Sequence, residues 1–168
     1  PADQPLRLWI AGCSSGEETY SLAIILMEAI TALKRPINLQ IFATDVHADA
    51  VALAREGLYP KSIEADVSPE RLARFFVAEE RGYRVRPELR AAVVLTVQDL
   101  LADPPFSRLD FVSCRNLLIY LRPEAQRRVL SVFRFALRDG GLLLLGPSET
   151  VAGFEDRFEP ISKTARIY

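Results

Sequence analysis

Four short segments hold the residues whose types and spacing are suited to chemistry, and each follows an apolar run. The first is Gly12-Cys13-Ser14-Ser15-Gly16, followed by Glu17 and Glu18. Gly12 and Gly16 let backbone approach a ligand closely, and the amides opening the next helix point toward it. The Gly-x-Gly-x-x-Gly spacing of dinucleotide sites is absent. Two adjacent acids where a phosphate would otherwise sit repel a pyrophosphate and favour a ligand with a cationic end. The same pair could instead only complement the helix dipole.

Asp45 closes the second apolar run, the place from which a carboxylate can accept both ribose hydroxyls of an adenosine. Its alternative is a cap for a helix starting near Ala48. Asp99, with Leu100, follows a later run and offers an acceptor for an adenine amino group beside an apolar wall; a turn residue is the other reading of Asp99. The run "DFVSCRNLLIYL" then puts Arg115, Asn116 and Tyr120 just beyond apolar residues. Arg and Asn there are poor core candidates, whereas Tyr120 could bury its ring as packing. His47, the single histidine, receives no role. No serine or cysteine has a base partner in the pattern, and no zinc-ligand spacing occurs, so hydrolase and metalloenzyme chemistry lack their parts and no metal is expected.

These segments need a scaffold that brings strand ends together, and the pattern supplies one. Apolar runs at Leu6 to Ala11, Asn38 to Thr44, Ala92 to Val97, Leu109 to Cys114 and Leu142 to Leu145 read as strands. Helical stretches separate them: one from Glu17, with Leu22, Leu26, Ile30 and Leu33 on one face and Pro36 closing it, one over about Ala48 to Arg55, and one from Pro123 with Val129, Phe133 and Ala136 inward. Strands joined by helices of this length imply an α/β fold with a mostly parallel, Rossmann-like sheet covered on both faces. Such a sheet takes ligands at the carboxyl ends of its strands, where all four segments fall. Leu58 to Arg90 breaks the alternation, with a helix start at Ser68-Pro69 and a short strand or hairpin in "GYRVRPEL", and reads as an insertion outside the main sheet. The closing "FEPISKTARIY" suggests a terminal antiparallel pair.

Length and composition limit the partners. The 168 residues, 49% hydrophobic, suit one compact domain. Lys+Arg number 21 against 22 Asp+Glu, so no charge excess argues for nucleic acid. No apolar run is long enough to span a membrane and the start lacks a signal-peptide pattern. Cys13 and Cys114 are far apart in apolar segments, which fits a reducing cytoplasm while leaving one disulfide open. No oligomeric state is implied.

The stretches "WIAGCSSGEETYSLAI", "IFATDVHADAVALAREGLY", "VSCRNLLIYL" and "GGLLLLGPSET" together resemble the bacterial chemotaxis-receptor methyltransferases, the CheR family, in the family's order and over nearly the whole chain. The resemblance implies a class I S-adenosylmethionine-dependent methyltransferase fold over residues 1–168: a seven-stranded sheet, with a small antiparallel subdomain inserted at about 58–91. It implies S-adenosylmethionine as cofactor and S-adenosylhomocysteine as product. Gly12 and Glu18 would hold the methionine part, with Glu17 a less certain neighbour, Asp45 the ribose, and Asp99 and Leu100 the adenine, although many relatives have Asn in place of Asp99. Arg115 and Asn116 would line the cofactor, and Tyr120 would stand near the methyl group. The implied reaction converts glutamate side chains in the cytoplasmic region of chemotaxis receptors to methyl esters. A binding module without transfer activity, or transfer to another carboxylate, are the alternatives. Relatives usually also carry an N-terminal helical domain, and the resemblance implies that this sequence begins after it.

Overall fold

The computed structural model describes residues 4–168; residues 1–3 of the expected domain lie outside the described residues. Five parallel strands form the main sheet: β1 (Leu6–Ala11), β2 (Leu39–Asp45), β6 (Val93–Val97), β7 (Leu109–Cys114) and β8 (Leu137–Leu145), in spatial order β6-β2-β1-β7-β8. The chain starts in the middle, builds outward through β2 to β6, then returns to the other side of β1 for β7 and β8. The reversal between β1 and β7 opens a crevice at their carboxyl ends, the standard ligand position in open α/β sheets.

Central β1 shows why the sheet must be covered twice. Leu8 and Ile10 enter one core with Tyr20 and Ala23 of α1 (Glu17–Ala32) and Val51 and Ala54 of α2 (Ala48–Glu56). Trp9 and Ala11 enter the other with Val129, Leu130, Phe133 and Ala136 of α5 (Pro123–Ala136). A strand buried on both faces reads as a continuous apolar run, as "LWIA" does. Trp9 is wholly buried and still satisfies its indole, which donates to Thr44 Oγ1 at 2.9 Å.

Two sequence readings need correction. The α1 face toward the core is Thr19, Tyr20, Ala23 and Ile24; Leu22, Leu26 and Ile30 pack partly, while Leu33 caps the helix end at 61% exposure. The helix is apolar around most of its circumference, so periodicity marks its face weakly; small Ala23, with no exposure, allows the close approach to the sheet. Strand β8 also begins at Leu137, directly after α5, and bulges: Leu109 pairs with Leu137 but Phe111 with Leu142, with Gly140 at φ 75° in the excursion.

The insertion is separate from the main sheet, as expected. Strands β3 (Leu58–Tyr59), β4 (Phe76–Glu79) and β5 (Gly82–Val85) form an antiparallel sheet of order β3-β5-β4, with α3 (Pro69–Phe75) capped by Ser68 and α4 (Pro87–Ala91) returning to β6. The main sheet has five strands among the described residues rather than seven. The chain end folds back on itself, Ser162 and Ile167 exchanging backbone bonds at 3.0 Å, and also runs antiparallel to β8: Tyr168 and Leu143 exchange backbone bonds at 2.9 Å, and Leu145 donates to Arg166 at 3.0 Å. No helix among the described residues is long and apolar enough to cross a membrane.

Candidate cofactor site

The turn after β1 is fixed by backbone geometry. Gly12 (φ 74°), Ser14 (φ 48°) and Gly16 (φ 94°) all occupy the left-handed region, which glycine enters without steric cost. A Cβ on Gly12 would stand 2.6 Å from Leu117 Cδ1, so glycine also lets the turn touch the loop after β7. The amides of Gly12 and Cys13 both donate to Thr44 O, at 2.8 and 2.9 Å, and register the turn against the end of β2.

Asp45 completes that junction. Its Oδ2 accepts from the Ser14 amide at 2.8 Å and its Oδ1 from the His47 amide at 2.9 Å. The helix-cap alternative therefore gives way, because His47 is the N-cap of α2 and Asp45 ties the first two strand ends together. A carboxylate has about four acceptor sites, so both oxygens retain capacity toward a ligand. Asp99 likewise serves the turn and the crevice at once. Its Oδ1 accepts from the Leu101 amide at 2.8 Å, the turn reading, while the residue still faces the crevice.

The crevice encloses about 460 Å³, in the range of small-molecule sites. Seven of the expected residues line it together: Gly12, Asp45, Asp99, Leu100, Arg115, Asn116 and Tyr120. Tyr120 is 81% exposed on a single 3₁₀ turn (Leu118–Tyr120), which removes the core-packing alternative. Glu18 is not among the lining residues. It accepts a hydrogen bond from the buried Ser113 hydroxyl of β7, whereas Glu17 is held by Ser15 Oγ at 2.7 and 2.8 Å. The lining also contains Ser14, Val46, His47, Leu117 and Leu121, to which the sequence pattern assigned nothing. Val46 and His47 directly follow Asp45, and that adjacency was the available signal.

Burial governs the thiols. It pushes Cys13 up to about 12 from an ordinary value of 9.0, with the charge of Asp45 adding to the effect. It raises Cys114 as well, with Glu149 the next contributor. Both cysteines are free, and neither is a thiolate nucleophile near neutral pH. Among the described residues no group of three or more His, Cys, Asp or Glu is placed to hold a metal ion.

A larger cleft of about 680 Å³ lies by the opposite, amino-terminal edge of β2, lined by Met27, Ile37, Phe75 and Leu89 among others. It lacks the converging strand-end carboxylates, so volume alone does not mark the site.

The sequence profile described as "CheR methyltransferase, SAM binding domain" matches residues 1–167. The chain belongs to the CheR methyltransferase family. Among similar curated proteins, an uncharacterized 104.1 kDa protein of Rhodobacter capsulatus is 44% identical over 97% of this chain and 17% of its own length. The putative methyltransferase Cher3 of Pseudomonas putida is 37% identical over 97% of the chain and 62% of its own length. A chemotaxis protein methyltransferase of Vibrio parahaemolyticus is 34% identical over 94% and 59%. This CheR domain thus spans less than two thirds of each of these relatives. Among solved structures, the glycopeptide N-methyltransferase MtfA complexed with sinefungin superposes with a TM-score of 0.56 at 15% identity, over 86% of the chain and 44% of that protein. PKMT2 of Rickettsia typhi in complex with AdoHcy gives 0.52 at 16%, over 89% and 22%. These likenesses show that the CheR domain has the S-adenosylmethionine-dependent methyltransferase fold.

Proposed function

We propose that this CheR domain transfers the methyl group of S-adenosylmethionine to glutamate side chains in the cytoplasmic region of chemotaxis receptors, giving glutamate methyl esters and S-adenosylhomocysteine. The observation that carries the reading is the pair Asp45 and Asp99 at neighbouring strand ends, facing one crevice whose floor is Gly12 and whose rim is the exposed Tyr120. The printed names of the Vibrio relatives, chemotaxis protein methyltransferases, support the substrate class.

The donor set fits the cofactor. Asp45 presents acceptors for ribose hydroxyls, and Asp99 with Leu100 offers an acceptor beside an apolar surface for adenine. Gly12 provides the close backbone approach, and Arg115 and Asn116 border the other side. Glu18 acts through its charge, which favours the cationic methionine end, and Ser113 fixes its carboxylate. When bound, S-adenosylmethionine supplies an activated sulfonium methyl group.

The chain's own residues then orient and desolvate. A glutamate acceptor is ionised at neutral pH, so no general base is required. Tyr120 positions the acceptor carboxylate at the rim, and the surrounding apolar groups Leu117 and Leu121 thin the water around it. We assign residues 58–91 as an inserted subdomain for docking the receptor, Tyr120 as the catalytic residue, and the cytoplasm as the location.

Labelled S-adenosylmethionine incubated with the chain and receptor cytoplasmic fragments tests this reading. Base-labile label on the receptor fragment is the expected result. Binding without any transfer would leave a cofactor-binding module, and label on small carboxylic acids alone would move the substrate class.

A further inference from the structure

Glu149 is 3% exposed, yet its side-chain hydrogen bonds all come from backbone amides. Oε1 accepts from Asn116 at 2.8 Å and from Gly146 at 2.8 Å. Oε2 accepts from Leu117 at 3.0 Å and from Ile119 at 3.3 Å. One carboxylate from the turn after β8 thus gathers three amides of the loop after β7, thirty or more residues away in sequence. These amides have no strand or helix partner of their own, and the buried carboxylate would be costly to leave unpaired.

The seat for this carboxylate is built to fit. The chain turns back at Gly146, where the Glu149 amide donates to Gly146 O at 3.0 Å. A Cβ on Gly146 would stand 2.6 Å from Glu149 Oε1 and 2.7 Å from Asn116 Oδ1. Asn116 is held at φ 58°, a left-handed conformation that asparagine tolerates better than most residues. The loop so fixed places Arg115, Asn116, Leu117 and Tyr120 along one wall of the crevice, with Leu117 against Gly12.

We infer that Glu149, seated on Gly146, is a positioning residue that sets the conformation of the Asn116–Tyr120 wall and thereby the cofactor affinity of the crevice. The inference rests on the cofactor reading above. Glu149 touches neither cofactor nor acceptor and acts through the loop it holds. Glutamine in its place keeps one acceptor oxygen but turns an NH₂ group toward donor amides.

The experiment compares wild type, Glu149→Gln, Glu149→Asp, Gly146→Ala and a core variant outside the crevice lining, Leu130→Ala, with S-adenosylhomocysteine as probe. Calorimetry is run well below each melting temperature, and amide exchange of residues 116, 117, 119 and 146 is followed in parallel. Glu149→Gln and Gly146→Ala are expected to raise Kd by about tenfold or more and to lose protection at those amides while β1 and β2 stay protected. Glu149→Asp keeps both oxygens and should fall between. Leu130→Ala should lower the melting temperature with Kd within about threefold of wild type, since it disturbs only packing.

Unchanged Kd in a folded Glu149→Gln chain, or unchanged loop protection, would overturn the inference. A Kd loss in Leu130→Ala as large as that in Glu149→Gln would also overturn it, because general destabilisation would then suffice. If Glu149→Gln does not fold, Gly146→Ala and Glu149→Asp carry the comparison; if none of the three folds, the wild-type amides decide. Their exchange at unfolded-chain rates would overturn the inference, and their protection without cofactor would support it. Failure of wild type to bind S-adenosylhomocysteine would instead refute the cofactor reading, which the exchange of these amides reports on separately.

Discussion

Replacing Asp45 with alanine removes an anchor of the fold that, on the proposed reading, also holds the ligand's ribose. In the free chain it deletes two charge-assisted bonds, from the Ser14 amide at 2.8 Å and the His47 amide at 2.9 Å. Both donors lie on exposed residues and can turn to water, so the stability loss should stay near about 1.5–3 kcal/mol for the pair rather than for each bond. The freed turn would loosen around Gly12 and Ser14, which border the crevice. Lost ribose bonds add about 1.5–3 kcal/mol to binding, or roughly 10- to 150-fold in Kd at 1.4 kcal/mol per decade. Asp45→Asn retains one acceptor oxygen and should lose less on both counts. Thermal melts measure the first effect; titration calorimetry with S-adenosylhomocysteine, far below the melting temperature, measures the second. Asp45→Ala with wild-type affinity in a folded chain would refute the ribose assignment, whatever its melting temperature.

Three further outcomes are expected. Gly12→Ala forces a Cβ to within 2.6 Å of Leu117 at φ 74°, and S-adenosylhomocysteine affinity should fall by about tenfold or more by calorimetry. Tyr120→Phe should leave that affinity within about threefold of wild type, because the phenol is exposed and has no hydrogen-bond partner among the described residues, while lowering methyl transfer by about 10- to 100-fold in the labelled-receptor assay. Burial raises Cys13, Cys114, Tyr20 and Tyr59 above ordinary values of 9.0 and 10.0, so the native state holds protons that the unfolded chain releases. That contribution is fully present below pH 9 and is lost as pH rises toward about 12, the folded value for Cys13. Melting temperature should drop by roughly 5–15 °C between pH 8 and pH 10.5.

The parallel architecture was legible because β1, β2 and β7 are short apolar runs buried on both faces, each followed by a turn or polar residues. Their carboxyl ends border the crevice, so the placement of Gly12, Asp45, Asp99, Arg115 and Asn116 along it could be read with the fold itself. The inner face of α1 was not legible, because its stripe of Leu22, Leu26, Ile30 and Leu33 competes with an almost equally apolar stripe around Ala23 and Ile24. The choice between them depends on how closely a small side chain lets the helix approach the sheet. Glu149 was beyond reach for another reason. Its partners are backbone amides at 116, 117 and 119, and no pattern of residue types records an amide that lacks a helix or strand partner. The turn bonds of Asp45 and Asp99 were hidden similarly, since a carboxylate that ties a turn and one that only faces a crevice look alike in sequence.

The central claim is that the crevice over β1 and β7 is the cofactor site, and backbone amide shifts during titration with S-adenosylhomocysteine test it directly. Saturable shifts are expected at Gly12 to Ser14, Asp45 to His47, Asp99 to Leu101 and Arg115 to Tyr120, with Ile37, Phe75 and Leu89 at the opposite cleft unmoved. No saturable shifts, or shifts confined to that opposite cleft, would contradict the account.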